Sequence, residues 1–435
     1  MHLSRYCKIF PAPDRPNHRL LYSTRRGGLL LVPETLLAAI ETGALQAAEQ
    51  DTLACRGLLV ADAAAEREEV RSRFAVLNER RSTFSAMVVL NLDCNLACPY
   101  CFEGNLKGKR YLSAPTADLL VERIRERYLP GKQRILLDFY GGEPLLSLER
   151  LESIATRVAV AVLQQGKEAI FNVITNGTLL TRPVAERLAA LGIRSAKVTL
   201  DGPAEFHDQS RPFLSGAGSF AVILANLRAC CDLLAIQIGG NYTKDTFREF
   251  PRLLDHLLSA GLTPDKVQMV KFAPVTRVAG HGAPPEFTGG CDRTSEPWLL
   301  EADLFLREEI LMRGYKTPKP ARASCMIEFS DDLVINYDGS LYKCPAFIGC
   351  EGYRIGTLEA GLGGDYHALY NTGVWQTEEC LDCAYLPLCF GGCRFLTFLR
   401  NGAIDGVDCW KAYLDANLET LLRQDLRYRP RAGGS

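Results

Sequence analysis

From residue 87 onward, short apolar runs alternate with amphipathic stretches of helical period. Six runs read as strands, at 87–92, 135–139, 170–174, 196–200, 236–241 and 267–272, each followed by a loop and, in most cases, a helix. This alternation predicts successive βα units around a parallel sheet. Six units predict an α/β fold of the incomplete-barrel kind, a partial (β/α)6 TIM-type barrel. Ahead of it, residues 1–83 read as a small separate unit, with strand-like runs at 5–10, 19–22 and 29–32 and a helix from Pro33. A Glu- and Arg-rich helix at 65–81 closes that unit as a solvated connector. Beyond about residue 285 the alternation stops. A helix at 297–312 and a hairpin signal at Asn336-Tyr337-Asp338-Gly339 give way to cysteine-dominated loops, as expected of a metal-binding domain. The predicted domains are 1–83, 84–285 and 286–435.

The 435 residues exclude a single small module. A formal net charge of -1 gives no reason to expect nucleic acid or membrane partners, and no apolar run approaches the ~18 residues of a membrane span. Sixteen cysteines change the picture, because ten of them fall in two sets with short internal spacings. That is ligand spacing rather than the disulfide framework of a short secreted chain, so a reduced, cytoplasmic setting is expected. Cys7, Cys55, Cys230 and Cys231 lie outside the sets and read as buried small apolar residues.

Cys94, Cys98 and Cys101 form CxxxCxxC directly after the first predicted strand, where parallel barrels place their chemistry. Soft thiolates select iron–sulfur clusters or zinc, and a four-iron cluster held by three cysteines keeps one iron open to an external ligand. Structural zinc is the competing reading. Such sites usually pair CxxC with a nearby fourth Cys or His, and no His lies between residues 19 and 206.

The segment from Cys94 to Glu103, Cys-Asn-Leu-Ala-Cys-Pro-Tyr-Cys-Phe-Glu, resembles the cluster loop of the radical S-adenosylmethionine superfamily. The resemblance continues in chain order with Gly141-Gly142-Glu143-Pro144, Thr175-Asn176-Gly177 and Thr199-Leu200-Asp201-Gly202-Pro203, each following a predicted strand. It implies that Cys94, Cys98 and Cys101 are the catalytic cluster ligands. It also implies cofactor contacts from Tyr100, Gly141, Gly142, Glu143, Pro144, Asn176, Thr199 and Arg211. Glu143 would offer a carboxylate to the methionyl amine, Thr199 a hydroxyl to the ribose, and Arg211 its fork of donors to the cofactor carboxylate.

The second set reads Cx13Gx4C at Cys325, Gly339 and Cys344, then Cx2Cx5Cx3C at Cys380, Cys383, Cys389 and Cys393, then Cys409. It resembles the SPASM domain of peptide- and protein-modifying radical enzymes. Through that resemblance Cys380, Cys383, Cys389 and Cys409 would hold an outer auxiliary cluster and Cys325, Cys344 and Cys393 an inner one, making three 4Fe-4S clusters with the first. The inner set lacks a fourth cysteine. Cys350, Cys291 or an open iron would complete it.

The implied reaction cleaves S-adenosylmethionine to a 5′-deoxyadenosyl radical that takes hydrogen from a substrate. Sulfatase-maturing enzymes, which make formylglycine, have an acidic residue directly after the cysteine of the Gx4C element, where this chain has Pro345. The Tyr-Cys-Phe-Glu-Gly and Cys-Pro-Ala-Phe phrases are similar to those of geopeptide and thioether-forming maturases of ribosomal peptides. A thioether crosslink is therefore the expected product. A formylglycine-generating enzyme and a non-catalytic multicluster electron-transfer or binding protein are the alternatives. The N-terminal unit resembles winged-helix-like elements that bind precursor leader peptides by strand addition. A reductant such as flavodoxin or ferredoxin is the further expected partner.

Overall fold

The computed structural model describes residues 1–101, 103–275 and 297–428. Contacts divide the chain into two units, one of residues 1–80, 319–329 and 371–427, the other of residues 81–318, 330–370 and 428–435. The C-terminal domain expected from residue 286 is thus shared between them. The expected boundary near 285 and Cys291 lie outside the described residues.

The first unit opens with β1 (His2–Leu3), β2 (Cys7–Pro11), β3 (His18–Ser23), β4 (Leu29–Pro33) and β5 (Leu59–Val60). Strands β2, β3 and β4 form an antiparallel sheet in that order, and β1 pairs with β5. The expected connector helix is two helices, Ala63–Arg71 and Arg73–Arg80. Asp62 starts the first by accepting the Ala64 and Ala65 N–H groups. The later segments join through an aromatic core, in which Phe74 lies 5.4 Å from Phe329, 5.9 Å from Trp375 and 5.0 Å from Phe390 between ring centroids. Offset and edge-on pairs of this kind each add about 0.5–1.5 kcal/mol beyond area burial.

In the second unit, β6 (Thr83–Val89), β7 (Arg134–Tyr140), β8 (Glu168–Thr175), β9 (Ile193–Thr199), β10 (Ala235–Tyr242) and β11 (Val267–Pro274) lie side by side in chain order and are all parallel. On the far side of β6 come β12 (Asp332–Ile335), parallel to it, and then β13 (Ser340–Tyr342), β14 (Gly356–Thr357) and β15 (Gly361–Leu362), all antiparallel. The sheet of ten strands is mixed, and β11 is one of its edges among the described residues. The predicted hairpin turn joins β12 to β13.

Alternation along β7 explains both faces of the sheet. Ile135, Leu137 and Phe139 are fully buried. The helix Leu148–Leu163 covers β7 and β8 with Leu151, Ile154, Ala155, Val158 and Val162 at helical spacing. The intervening positions include a polar row: the Asn172 amide donates to Asp138 at 2.9 Å and the Ser195 hydroxyl to Asn172 at 2.8 Å across three strands. Parallel sheets are usually apolar on both faces. This one carries a hydrogen-bonded polar row on its other face, beside Leu136, Ile170 and Ile174. Among the described residues no helix is long and apolar enough to cross a membrane.

Candidate active site at the strand ends

The loop after β6 carries Cys94, Cys98 and Cys101, each partly buried and none in a disulfide. Backbone bonds fix its course. Leu92 N–H donates to Arg110, Ala97 N–H to Pro212 and Leu214 N–H to Asn95, so the cysteine loop is stitched to the segment that follows Arg211. Lys107 closes the loop with a bond to the Leu96 carbonyl at 3.1 Å. Burial pushes the Cys101 thiol up to about 11 and raises that of Cys94, opposed in both by the Lys107 charge. Such thiols ionise only when a metal centre takes the proton's place.

Gly141 and Gly142 follow β7. Gly141 has φ +151°, and a Cβ on either glycine would collide with the carbonyl oxygens of Asn91 and Asp93 respectively. The segment that closely approaches these glycines is the chain's own cysteine loop, through Asn91 and Asp93. Gly142 N–H donates to Asn91 and Glu143 N–H to Asp93.

Glu143 is fully buried. Its Oε1 accepts the Thr175 hydroxyl at 2.7 Å and the Leu145 N–H at 3.0 Å, and its Oε2 accepts the Asn176 N–H at 2.7 Å. Burial raises its pKa, while these donors hold it down. Within the chain the carboxylate thus serves as a clamp between β7 and β8. Pro144 begins a short turn of helix, Pro144–Ser147. The Asn176 amide reaches Asn95 at 2.8 Å and the Cys94 sulfur at 3.8 Å. Thr199 ends β9 opposite Gly239 of β10.

Tyr100 is the hub of the remaining site. Its hydroxyl donates to Asp201 and accepts from Arg211 at 2.7 Å and from the Asn241 amide at 3.3 Å. Asp201 in turn accepts the Asn241 N–H at 2.7 Å, and burial raises the Tyr100 pKa well above its ordinary value. Behind this hub sits His207, also fully buried. Its Nδ1 accepts the Asp201 N–H at 3.1 Å, which leaves Nε2 to donate to Ser219 Oγ at 3.0 Å, and Ser219 donates to the Arg211 carbonyl at 2.6 Å. Asp201 lies in the Thr199-Leu200-Asp201-Gly202-Pro203 stretch, and His207 lies four residues before Arg211. Asn241 was legible only as a polar residue closing an apolar strand, and Asn95, whose amide donates to the Thr178 hydroxyl at 2.8 Å, carried no separate signal, nor did Thr178.

The Nε of Arg211 is buried without a hydrogen-bond partner. A guanidinium in that state accommodates a carboxylate through its fork of donors, and three thiols on the adjoining loop suit iron. The residues present therefore fit a cluster and a cofactor that carries a carboxylate.

In the first unit, Cys380, Cys383, Cys389 and Cys409 are near enough to act on one another's thiols. Cys393 feels Cys325 in the same way. Cys344 and Cys350 belong to the second unit, where both act on Tyr370. Of the cysteines expected to be simply buried, Cys230 is, Cys7 and Cys231 are partly so, and Cys55 is exposed. Cys55 stands at the last position of the helix Ala47–Cys55, whose buried side is carried by Leu53.

Six parallel strands with three thiols on the loop after the first of them and a buried cationic fork beside that loop define an enzyme site for a soft metal centre and a cofactor that carries a carboxylate. Residues 88–257 match the Radical SAM superfamily. The cysteine-type anaerobic sulfatase-maturating enzyme of Clostridium novyi (strain NT) is 23% identical over 375 residues, 78% of this chain and 96% of that protein. Among solved structures, anSMEcpe with bound AdoMet and the Cp18Cys peptide is similar with a TM-score of 0.63 at 18% identity, over 79% of this chain and 99% of that one. Streptococcus suis SuiB bound to precursor peptide SuiA is similar with a TM-score of 0.53 at 14% identity, over 94% and 98%. The chain has the radical SAM α/β fold and is a radical SAM enzyme.

Proposed function

We propose that this enzyme matures a ribosomally made precursor peptide by installing a carbon–sulfur thioether crosslink. The observation that carries this reading is the N-terminal sheet. Both β2 and β4 are edges of it among the described residues, and they expose Ile9 and Leu31 at 41% each. Soluble proteins rarely leave apolar edge strands open, and a leader peptide added as a further strand would cover one. The likeness to SuiB, which spans 94% of this chain, supports the same reading.

In this reading Cys94, Cys98 and Cys101 hold the first cluster, Arg211 and Tyr100 bind the cofactor carboxylate, and Thr199 binds the ribose. Gly141, Gly142, Glu143 and Pro144 shape the cofactor's methionyl end, with Asn176 beside Cys94. A reduced cluster held by Cys94, Cys98 and Cys101 would supply the electron for reductive cleavage of S-adenosylmethionine, and with it the chemistry of hydrogen abstraction from a substrate carbon. The hydrogen-bonded row of Asp138, Asn172 and Ser195 lies on the same sheet, on β7, β8 and β9. Cys380, Cys383, Cys389 and Cys409 are assigned to an outer auxiliary cluster, and Cys325, Cys344 and Cys393 to an inner one.

The curated sulfatase-maturating relatives support a second reading, formylglycine formation. Pro345 weighs against it, since a proline after Cys344 supplies no carboxylate to take a proton. Mass analysis of a co-expressed precursor separates the two. A thioether removes two hydrogens and leaves the sulfur present but closed to alkylation. Formylglycine made from cysteine removes the sulfur, and made from serine leaves every thiol open. Residues 1–80 share a unit with later segments, so leader binding is better tested by Leu31→Lys than by deletion. Unchanged leader affinity in that variant and in Ile9→Asp would sink the recognition role.

A further inference from the structure

The face of the six parallel strands that carries Asp138, Asn172 and Ser195 also carries an exposed lysine. Register sets Ser195 beside Asn172 and Lys197 beside Ile174, so Lys197 lies on that same face, one step nearer the strand ends. Its neighbours Ala196 and Val198 point the other way and are fully buried. Strand β9 has β8 on one side and β10 on the other. A side chain in the middle of a sheet is exposed only where the face above it is open, and Lys197 is exposed.

The lysine leans over Gly239 of β10. A Cβ on that glycine would have the Lys197 Cε at 3.5 Å and the Thr199 Oγ1 at 4.0 Å, and besides them only the Val198 carbonyl oxygen within 4 Å. The missing side chain of Gly239 thus leaves a notch between the lysine and the hydroxyl assigned to the ribose. Lys271 of β11, in register with Gly239 on its far side, is exposed as well.

Among the described residues no hydrogen bond or ion pair takes the Lys197 ammonium. Asp138 feels its charge through space. That carboxylate stands on β7, two strands away in the direction opposite to Gly239, and is bound by the Asn172 amide. At the far end of the face Glu168 is shared between Arg134 at 2.6 Å and Arg194 at 2.8 Å. Two arginines share one glutamate, and two lysines stand with one aspartate, so this face carries an excess of positive charge on a chain whose net charge is -1.

We propose that Lys197 binds a carboxylate of the peptide substrate in the notch over Gly239, beside the ribose position at Thr199. The assignment rests on the peptide-maturase reading and adds a substrate class to it, a peptide with a carboxylate close to the reacting carbon. The anions that an unmodified ribosomal peptide carries are Asp and Glu side chains and its own C-terminus, and a lysine ammonium takes any of them as a point charge. Lys197 is thus a specificity residue, and no bond forms or breaks at it.

The test uses oxidised holoenzyme saturated with S-adenosylmethionine, which cannot turn over, and reads binding of synthetic cysteine-containing peptide pools by fluorescence anisotropy. One pool carries Asp or Glu and an amidated C-terminus, a second Asn or Gln and an amidated C-terminus, and a third Asn or Gln and a free C-terminal carboxylate. The wild type is expected to bind the first or the third about fivefold or more tighter than the second, and the difference to shrink with added salt. Which of the two it prefers tells a side-chain carboxylate from the C-terminus. Lys197→Met should abolish the preference, Lys197→Arg should keep it, and Lys197→Glu should turn it toward a lysine-bearing pool, with iron content and cofactor affinity at wild-type values throughout. Equal binding of all pools by the wild type, or a preference that survives Lys197→Met, overturns the proposal. So does a loss of cofactor affinity in Lys197→Met, which would give the lysine to the cofactor. Binding of no pool at all would overturn the peptide reading itself, and this assignment with it.

Discussion

The Thr175 hydroxyl donates to Glu143 Oε1 at 2.7 Å, joining the end of β7 to the end of β8 directly beneath the cysteine loop. With the Leu145 and Asn176 N–H groups, three buried donors depend on this one carboxylate. Each donor left without a partner costs about 1–3 kcal/mol. Glu143→Ala should therefore destabilise the holoenzyme by on the order of 3 kcal/mol or more in anaerobic denaturant titration. Glu143→Gln, which keeps one acceptor oxygen, should cost clearly less. Equal effects from the two would show that the clamp does not hold the strand ends.

Tyr100 and Arg211 share one hydroxyl-centred network with Asp201 and Asn241. Arg211→Lys replaces a planar fork with a point charge, and Tyr100→Phe removes the shared oxygen. Calorimetric titration should show cofactor affinity weakened about tenfold or more in each, with iron per chain unchanged. Wild-type affinity in both variants would remove Arg211 from the cofactor site.

His207 carries a pH signature. Burial holds its pKa down to about 3, from an ordinary 6.5, with the Arg211 charge adding to the effect. A depressed pKa means that the unfolded chain binds the proton first, so this contribution is complete above pH 6.5 and is lost as pH falls toward 3. At about 1.4 kcal/mol per unit, the loss is on the order of 5 kcal/mol at the acid end. His207→Gln should be less stable than wild type at neutral pH and show a shallower decline below it. Parallel acid limbs would contradict this.

Glu328 and Arg394 form an ion pair inside the first unit, with side chains 4% and 1% exposed. Glu328 also accepts from Gly373 N–H at 3.1 Å and Trp375 Nε1 at 3.3 Å. Glu328 lies three residues after Cys325, and Arg394 directly follows Cys393. Removing one partner of a buried pair typically costs 3–5 kcal/mol. Arg394→Met should cost that much, and Arg394→Met with Glu328→Gln less than the sum of the singles. Additive losses in this double-mutant cycle would show the two to be uncoupled.

The six parallel strands were legible because alternation and chain order coincide in parallel βα units. Their ends were less so. The first predicted strand ran to Leu92, whereas β6 stops at Val89. Leu90 and Leu92 are buried because the loop folds back through bonds with Tyr140, Arg110 and Leu112, so an apolar run outlasts its strand. The cysteine spacings disclosed the sets, but not that Cys325 and Cys393 would share a unit with residues 1–80. That grouping arises from aromatic contacts far apart in the chain, such as Phe74 with Phe390, which no local pattern encodes. The polar hub around Tyr100 was half legible: the motif supplied Tyr100 and Arg211, while His207 and Asn241 join through tertiary packing.

The central claim is that Cys94, Cys98 and Cys101 hold the cluster that starts a radical reaction. The most direct measurement is release of 5′-deoxyadenosine from S-adenosylmethionine under anaerobic dithionite, comparing the wild type with Cys98→Ala. Release by the wild type and none above background by Cys98→Ala is the predicted result. Equal release by both proteins, or none by an iron-loaded wild type, would contradict it.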